Sequence, residues 1–281
     1  GCRVIFTLEE SDHGVNMPET LINGYQMHYE NYGEGATLLM IHGGLGGGVG
    51  SASIINHHSL PLGARYHVLF YDRRSAGQSE IPEDGYSLSN YCADVHALLV
   101  HLGISEAHIL GSSAGGPIAM TFALEHPGMT KSLLLINTMS YCQEEQRQLR
   151  RQELYRVLSI IEKEEKSTLD SGQSIPSYQR DMSRYRAIAK TIQSYLDIGN
   201  SLEDRLGELT MPTLITHGDM DSRIPLECGL QLHSSIAQSE FFLIPGAGHG
   251  LLSNEPDTTR NLIVEFLEKV KSQSQGNILA N

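Results

Sequence analysis

The stretch that decides the fold is "HILGSSAGGPIAM", His108 to Met120. An apolar run ends in small residues, with Ser112 and Ser113 side by side between Gly111 and Gly115, and a run of helical character follows. G-x-S-x-G between a buried strand and a helix marks a sharp turn that holds a serine hydroxyl out at its tip. Bulky neighbours clash in such a turn, so the residues two before and two after the tip are small. Gly111 and Gly115 each stand two positions from Ser113, which makes Ser113 the tip and leaves Ser112 in the free position.

Working outward, the chain alternates strand and helix signals. Short apolar runs occur at "TLLMI" (Thr37–Ile41), "HVLFY" (His67–Tyr71), "AHILG" (Ala107–Gly111) and "SLLLIN" (Ser132–Asn137). Two more follow late, "PTLITH" (Pro212–His217) and "EFFLI" (Glu240–Ile244). Runs without polar alternation suit strands covered on both faces of a parallel sheet. Between them, Leu88, Tyr91, Cys92, Val95, Leu98, Leu99 and Leu102 mark a helix face that Ser87 starts and Gly103 ends. "DTTRNLIVEFLEKV" is a final helix with Leu262, Ile263, Phe266 and Leu267 inward. Near the N-terminus the strands are antiparallel: "ETLIN" and "YQMHYENY" flank Asn23–Gly24, a hairpin dipeptide. The fold class that results is α/β, a mostly parallel sheet flanked by helices.

One region breaks the pattern. From about Ser140 to Arg205 there is no strand signal, charged and amide residues dominate, and helical stripes run through Leu154, Leu158 and Ile161, then Tyr185, Ile188, Ile192 and Tyr195. The segment 140–208 reads as a small helical insertion between core residues 1–139 and 209–281.

Composition excludes several function classes. The 281 residues carry a formal net charge of −13, which opposes nucleic acid and anionic membrane. No apolar run approaches the roughly 20 residues of a membrane span. The N-terminal "GCRVIFTLEE" has neither the basic nor the apolar segment of a secretory leader. Cys2, Cys92, Cys142 and Cys228 are scattered, as free thiols in a cytoplasmic protein are, and no clustered Cys/His set offers a metal site. The partner to expect is a small-molecule substrate; the oligomeric state is left open.

A serine hydroxyl needs a base to become a nucleophile. "IPGAGHGLL" supplies His249 on a Gly-rich loop between the last strand and the last helix. The base needs a carboxylate to fix its tautomer, and "THGDMDSRIP" offers Asp219 and Asp221. A tetrahedral intermediate needs N–H donors. One is the amide of Ala114, and the second comes from "HGGLGGGVG" (His42–Gly50), assigned to Gly44 with Leu45 as its alternative. That loop lacks the Lys-Ser/Thr of a phosphate-binding P-loop and does not fit G-x-G-x-x-G.

"MIHGGLGG", "LFYDRRSAGQSE", "ILGSSAGG", "THGDMDSRIP" and "IPGAGHG", spread from about Leu39 to Leu251, resemble the motif series of cap-bearing α/β-hydrolases. The resemblance implies a mostly parallel sheet near eight strands, a Ser–His–Asp triad, a helical cap and no cofactor. The family's G-x-x-D spacing from Gly218 selects Asp221 over Asp219. In this resemblance the loop "YDRRSAGQS" is structural, so Asp72, Arg73 and Ser79 are not assigned to the site. The reaction expected is hydrolysis of a carboxylic ester or lactone through an acyl-enzyme, with Ser113 as nucleophile, His249 as base and Asp221 as acid. Leu45, Met139 and Tyr141 are expected to touch a small to medium, largely apolar substrate, with Tyr155 and Tyr185 also facing inward. "HGGLGGG" is similar to the loop of proline iminopeptidases, with Leu45 in place of proline, so aminopeptidase and C–C bond hydrolysis are the alternatives among enzymes. A ligand-binding receptor of the same fold with little turnover is the alternative of another class.

Overall fold

The computed structural model describes residues 19–45, 48, 50–140, 144–171, 176–198 and 202–279. Strand β1 (Glu19–Ile22) and strand β2 (Tyr25–Tyr32) form the expected hairpin, and Asn23 and Gly24 both take positive φ, 45° and 86°. That backbone is the one a two-residue turn between twisted strands requires. The remaining strands are β3 (Thr37–Ile41), β4 (His67–Tyr71), β5 (Ala107–Ser112), β6 (Thr130–Ile136), β7 (Thr213–Gly218) and β8 (Ser239–Ile244). The helices are α1 (Ala52–Gly63), α2 (Leu88–His101), α3 (Gly115–Glu125), α4 (Glu144–Ser171), α5 (Pro176–Asp197), α6 (Leu226–Ser235), α7 (Leu251–Asn254) and α8 (Pro256–Leu279).

The eight strands form one sheet in the order β1-β2-β4-β3-β5-β6-β7-β8. The β1–β2 and β2–β4 pairs are antiparallel and every later pair is parallel. Successive side chains of a strand point to opposite faces, so the apolar runs feed two cores at once. Leu39, Ile41, Leu69, Ile109, Leu133 and Leu135 meet α2 and α3 on one face. Leu38, Met40, Val68, Leu110, Leu134 and Ile136 meet α1 and α8 on the other. Each such buried side chain contributes about 1.5–3 kcal/mol relative to exposure, and this double layer holds the sheet rigid.

Strand β8 departs from the reading of a strand buried on both faces: Phe242 and Leu243 are exposed. It is the last strand in the order, and an edge strand lacks the neighbours that cover central ones. Among the described residues, no helix is long and apolar enough to cross a membrane.

From β3 the chain turns to β4 on one side and then returns to β5 on the other. The chain leaving β3 and the chain leaving β5 therefore run to helices on opposite faces of the sheet, the switch point at whose carboxyl end open α/β sheets place their ligand crevice.

Candidate active site

The crevice is bordered by the end of β5. Ser113 has φ +51°, a left-handed conformation that side chains other than glycine rarely adopt. Its amide donates to Ile136 O at 3.0 Å, and its carbonyl accepts from the Thr138 hydroxyl at 2.6 Å and from the Gly116 amide at 3.0 Å. The small flanking residues are required by contact. A Cβ on Gly111 would lie 2.5 Å from Gly115 O, and one on Gly115 would lie 2.3 Å from Ile41 O. Strand, turn and α3 pack too closely for any side chain there.

His249 lies on the loop between β8 and α7. Its Nε2 stands 2.9 Å from Ser113 Oγ and its Nδ1 stands 2.8 Å from Asp221 Oδ2. The carboxylate accepts the proton of Nδ1–H, which leaves Nε2 free to accept from the serine hydroxyl. Asp221 follows β7 with its side chain fully buried. Burial alone would raise its carboxyl; hydrogen bonds from His249 and from the Ile224 and Arg223 amides outweigh that and hold it below its ordinary value. Asp219 is elsewhere occupied, accepting from the Gly246 amide at 2.6 Å.

Among the described residues, neither the Gly44 nor the Ala114 N–H donates to a protein acceptor. Gly44 is exposed and Ala114 is the residue before α3, where unpaired amides and the helix dipole favour negative charge. The loop carrying Gly44 runs close to the serine: a Cβ on Gly43 would lie 3.5 Å from Ser113 Oγ.

The expected substrate contacts are placed differently from one another. Leu45 packs against a cluster between α4 and α5 built on Val157, Ala189 and Ile192, with Leu154, Ile161 and Tyr185 at its margin. Met139 is buried against Ile224 and Cys228. Tyr141 lies outside the described residues. Tyr155 is a correction: it is 69 % exposed and faces away from the cluster, and Leu158 is also exposed. Val157 takes the inward position that the stripe had given to Leu158.

Five residues around the site were not assigned to it from the sequence, Arg73 having been read as part of a structural loop and Tyr195 only as a point on a helical stripe. Asn137, buried at the end of β6, donates to Asp221 Oδ2 at 2.7 Å and to Gly248 O at 2.9 Å, tying the carboxylate to the histidine loop. A polar amide ending an apolar strand was the available signal. Thr138 holds the serine carbonyl. Tyr195 of α5 donates to Ala114 O, and Arg73 reaches the carbonyls of Gly43 and Gly44. His217, 3.7 Å from Asp221, is too distant for a hydrogen bond and instead donates to Ile224 O at 2.9 Å; burial lowers its pKa and keeps it neutral.

Away from this site, ligand atoms of Cys92, Glu125 and His126 lie within 4.8 Å of one another, a grouping the scattered sequence positions concealed. The Cys92 thiol donates to Glu125 and burial pushes its pKa well up, while His126 stacks on His96.

A family model described as the alpha/beta hydrolase fold matches residues 36–159. Among curated proteins, a 2-hydroxy-6-oxononadienedioate/2-hydroxy-6-oxononatrienedioate hydrolase from Comamonas testosteroni is 24 % identical over 90 % of this chain and 95 % of its own. A proline iminopeptidase from Lactobacillus helveticus is 25 % identical over 88 % of this chain and 95 % of its own. Among solved structures, a thermophilic esterase from Thermogutta terrifontis superposes with a TM-score of 0.73 at 24 % identity, covering 90 % of this chain and 98 % of the other.

Proposed function

We propose that this chain, an α/β-hydrolase, cleaves carboxylic esters or lactones of small to medium, largely apolar substrates through an acyl-enzyme on Ser113. The observation that carries this reading is the unbroken line from Ser113 Oγ through both nitrogens of His249 to Asp221. In this mechanism His249 Nε2 takes the hydroxyl proton as Ser113 attacks the carbonyl carbon. The oxyanion forms against the Gly44 and Ala114 amides, each such donor being worth about 3–4 kcal/mol of transition-state stabilisation. The tetrahedral intermediate collapses as His249 returns the proton to the leaving alkoxide. Water, deprotonated by the same nitrogen, then releases the acid and frees the serine. Asp221 stays ionised throughout, holding the imidazole in the working tautomer and stabilising the imidazolium.

The segment 140–208 acts in this reading as a cap whose apolar interior, continuous with Leu45, favours an apolar acyl or aryl group. The buried thiol of Cys92, which forms no disulfide, supports a reducing, cytoplasmic setting. A second reading is C–C bond hydrolysis, favoured by the similarity to the Comamonas hydrolase of 2-hydroxy-6-oxononadienedioate; the same serine, base and oxyanion donors would serve it.

The test is turnover of p-nitrophenyl esters, lactones, aminoacyl arylamides and a 2-hydroxy-6-oxo-dienoate by wild type, Ser112→Ala and Ser113→Ala. Esters or lactones are expected to turn over fastest. Ser113→Ala is expected to lose on the order of 10⁴-fold or more while Ser112→Ala retains most activity. Preference for the dienoate favours the second reading, stoichiometric release without turnover favours a receptor, and equal losses in the two variants move the nucleophile.

A further inference from the structure

Arg73 follows β4, and its side chain is among the largest in the molecule to be fully buried, at 1 % exposure. Its Nη2 donates to Gly43 O at 2.8 Å and to Gly44 O at 2.5 Å. Its Nη1 donates to the Tyr195 hydroxyl at 3.4 Å, and that hydroxyl donates onward to Ala114 O. The guanidinium also lies over the Tyr91 ring, 5.5 Å from its centroid. Among the described residues no carboxylate pairs with it, and its Nε has no partner. The adjacent Arg74 is the opposite case, clamped to Asp94 through two bonds of 2.6 and 2.7 Å. A buried cation without a counter-ion is costly. Packing does not account for it, because an apolar side chain would fill that space without the charge.

The geometry of the two peptides that Arg73 holds supplies the reason. Neither peptide is cis, and in a trans peptide the N–H points opposite to the C=O. With the carbonyls of Gly43 and Gly44 turned onto the guanidinium, the amides of Gly44 and Leu45 face away from it. Glycines leave this loop conformationally free, so an outside anchor is needed to hold its donors before an oxyanion forms. The anchor is also charged. A cation bonded to a carbonyl draws electron density through the amide and strengthens its N–H as a donor, as in other chained hydrogen bonds. Through Tyr195 the same guanidinium reaches the Ala114 carbonyl on the other flank of the crevice.

We propose that Arg73 is a positioning residue that orients and polarises the Gly44 amide for the transition-state oxyanion, acting through the Gly43 carbonyl it holds, while its bond to Gly44 O fixes the next peptide, that of Leu45, beside it. This rests on the serine mechanism proposed above. Arg73 does not touch the reacting atoms; its effect belongs to the transition state and not to substrate binding.

The test compares wild type, Arg73→Gln, Arg73→Lys and Ser113→Ala on one p-nitrophenyl ester, together with inhibition by phenylboronic acid, which becomes tetrahedral on a nucleophilic serine. Arg73→Gln is expected to lower kcat about 10- to 100-fold, below the full loss of an oxyanion donor, with KM nearly unchanged and boronate affinity reduced by a matching factor. Arg73→Lys keeps the charge on a single arm and is expected to lose about three- to tenfold in both quantities. If the glutamine variant does not fold, that paired loss decides the matter. Unchanged kcat and boronate affinity in a folded variant, or a loss confined to KM, overturns the assignment. Ser113→Ala separates the two claims: an inactive Ser113→Ala beside a fully active Arg73→Gln removes the role of Arg73 alone. Turnover retained in both removes the serine mechanism and this inference with it.

Discussion

The carboxyl edge of the sheet and the α4–α5 pair both reach the residues around Ser113, but different forces hold them. Ser113, Asn137 and Asp221 stand at the ends of β5, β6 and β7, strands whose side chains are buried between two apolar layers. The α4–α5 pair is built on a small cluster around Val157, Ala189 and Ile192. Its outer faces carry exposed ion pairs such as Arg150–Glu153, Arg151–Glu144 and Arg186–Glu165, each worth at most about 1 kcal/mol. Its ties to the rest of the molecule include single hydrogen bonds, from Tyr195 to Ala114 O and between the Tyr91 and Thr191 hydroxyls at 3.0 Å. The groups that must hold sub-ångström geometry hang from the rigid region. The α4–α5 region, with its smaller apolar cluster and exposed outer faces, has the features of the low end of local stability.

Core truncations sharpen that contrast most. Leu134→Ala empties a site between β6 and the α1–α8 layer and is expected to cost about 3 kcal/mol of global stability, read from the urea midpoint. Ile192→Ala removes a side chain just as buried, from the α4–α5 cluster. It is expected to leave the global midpoint nearly in place while speeding amide exchange in α4 and α5. Equal shifts of the global midpoint in both variants would show one cooperative unit and dissolve the distinction.

A smaller effect comes from histidines within the sheet region. Burial pushes His42 down to about 3, and His58 and His108 down to about 4. These groups bind protons less readily folded than unfolded, where the ordinary value is about 6.5. Their stabilising contribution is therefore complete above pH 6.5 and is lost as pH falls toward the folded values. The slope reaches about 1.4 kcal/mol per pH unit per histidine. Asp221, held below its ordinary value chiefly by His249 against its own burial, adds a further loss only under about pH 4. Urea midpoints are expected to fall steadily between pH 6.5 and 4.5, and His108→Gln to flatten that slope by one histidine's share. A wild-type midpoint constant over this interval contradicts the assignment of these rings as buried and neutral.

Much of the sheet region was legible because local chemistry there is restrictive. Asn23–Gly24 permits the positive φ of a hairpin, and the elbow admits no side chain at Gly111 or Gly115. The spacing of these residues carries the geometry. Arg73, Asn137, Thr138 and Tyr195 were not legible because their roles depend on partners far along the chain, Asn137 with Asp221 and Arg73 with Tyr195. The helical stripe on α4 misassigned Leu158 because the helix is mostly polar, and a one-residue shift of the inward face is enough to exchange Leu158 for Val157; Tyr155, expected inward apart from that stripe, is exposed. Leu45 was assigned to substrate from its neighbours in the loop; its packing against α4 and α5 comes from tertiary structure alone.

The central claim is that the hydroxyl of Ser113, and not that of Ser112 beside it, is the activated one. Labelling the folded protein with a fluorophosphonate and mapping the adduct by peptide fragmentation measures this directly. A single stoichiometric adduct on Ser113, abolished in His249→Ala, is the predicted result. An adduct on Ser112 or on a residue outside the crevice, or labelling of Ser113 that is indifferent to His249, would contradict it.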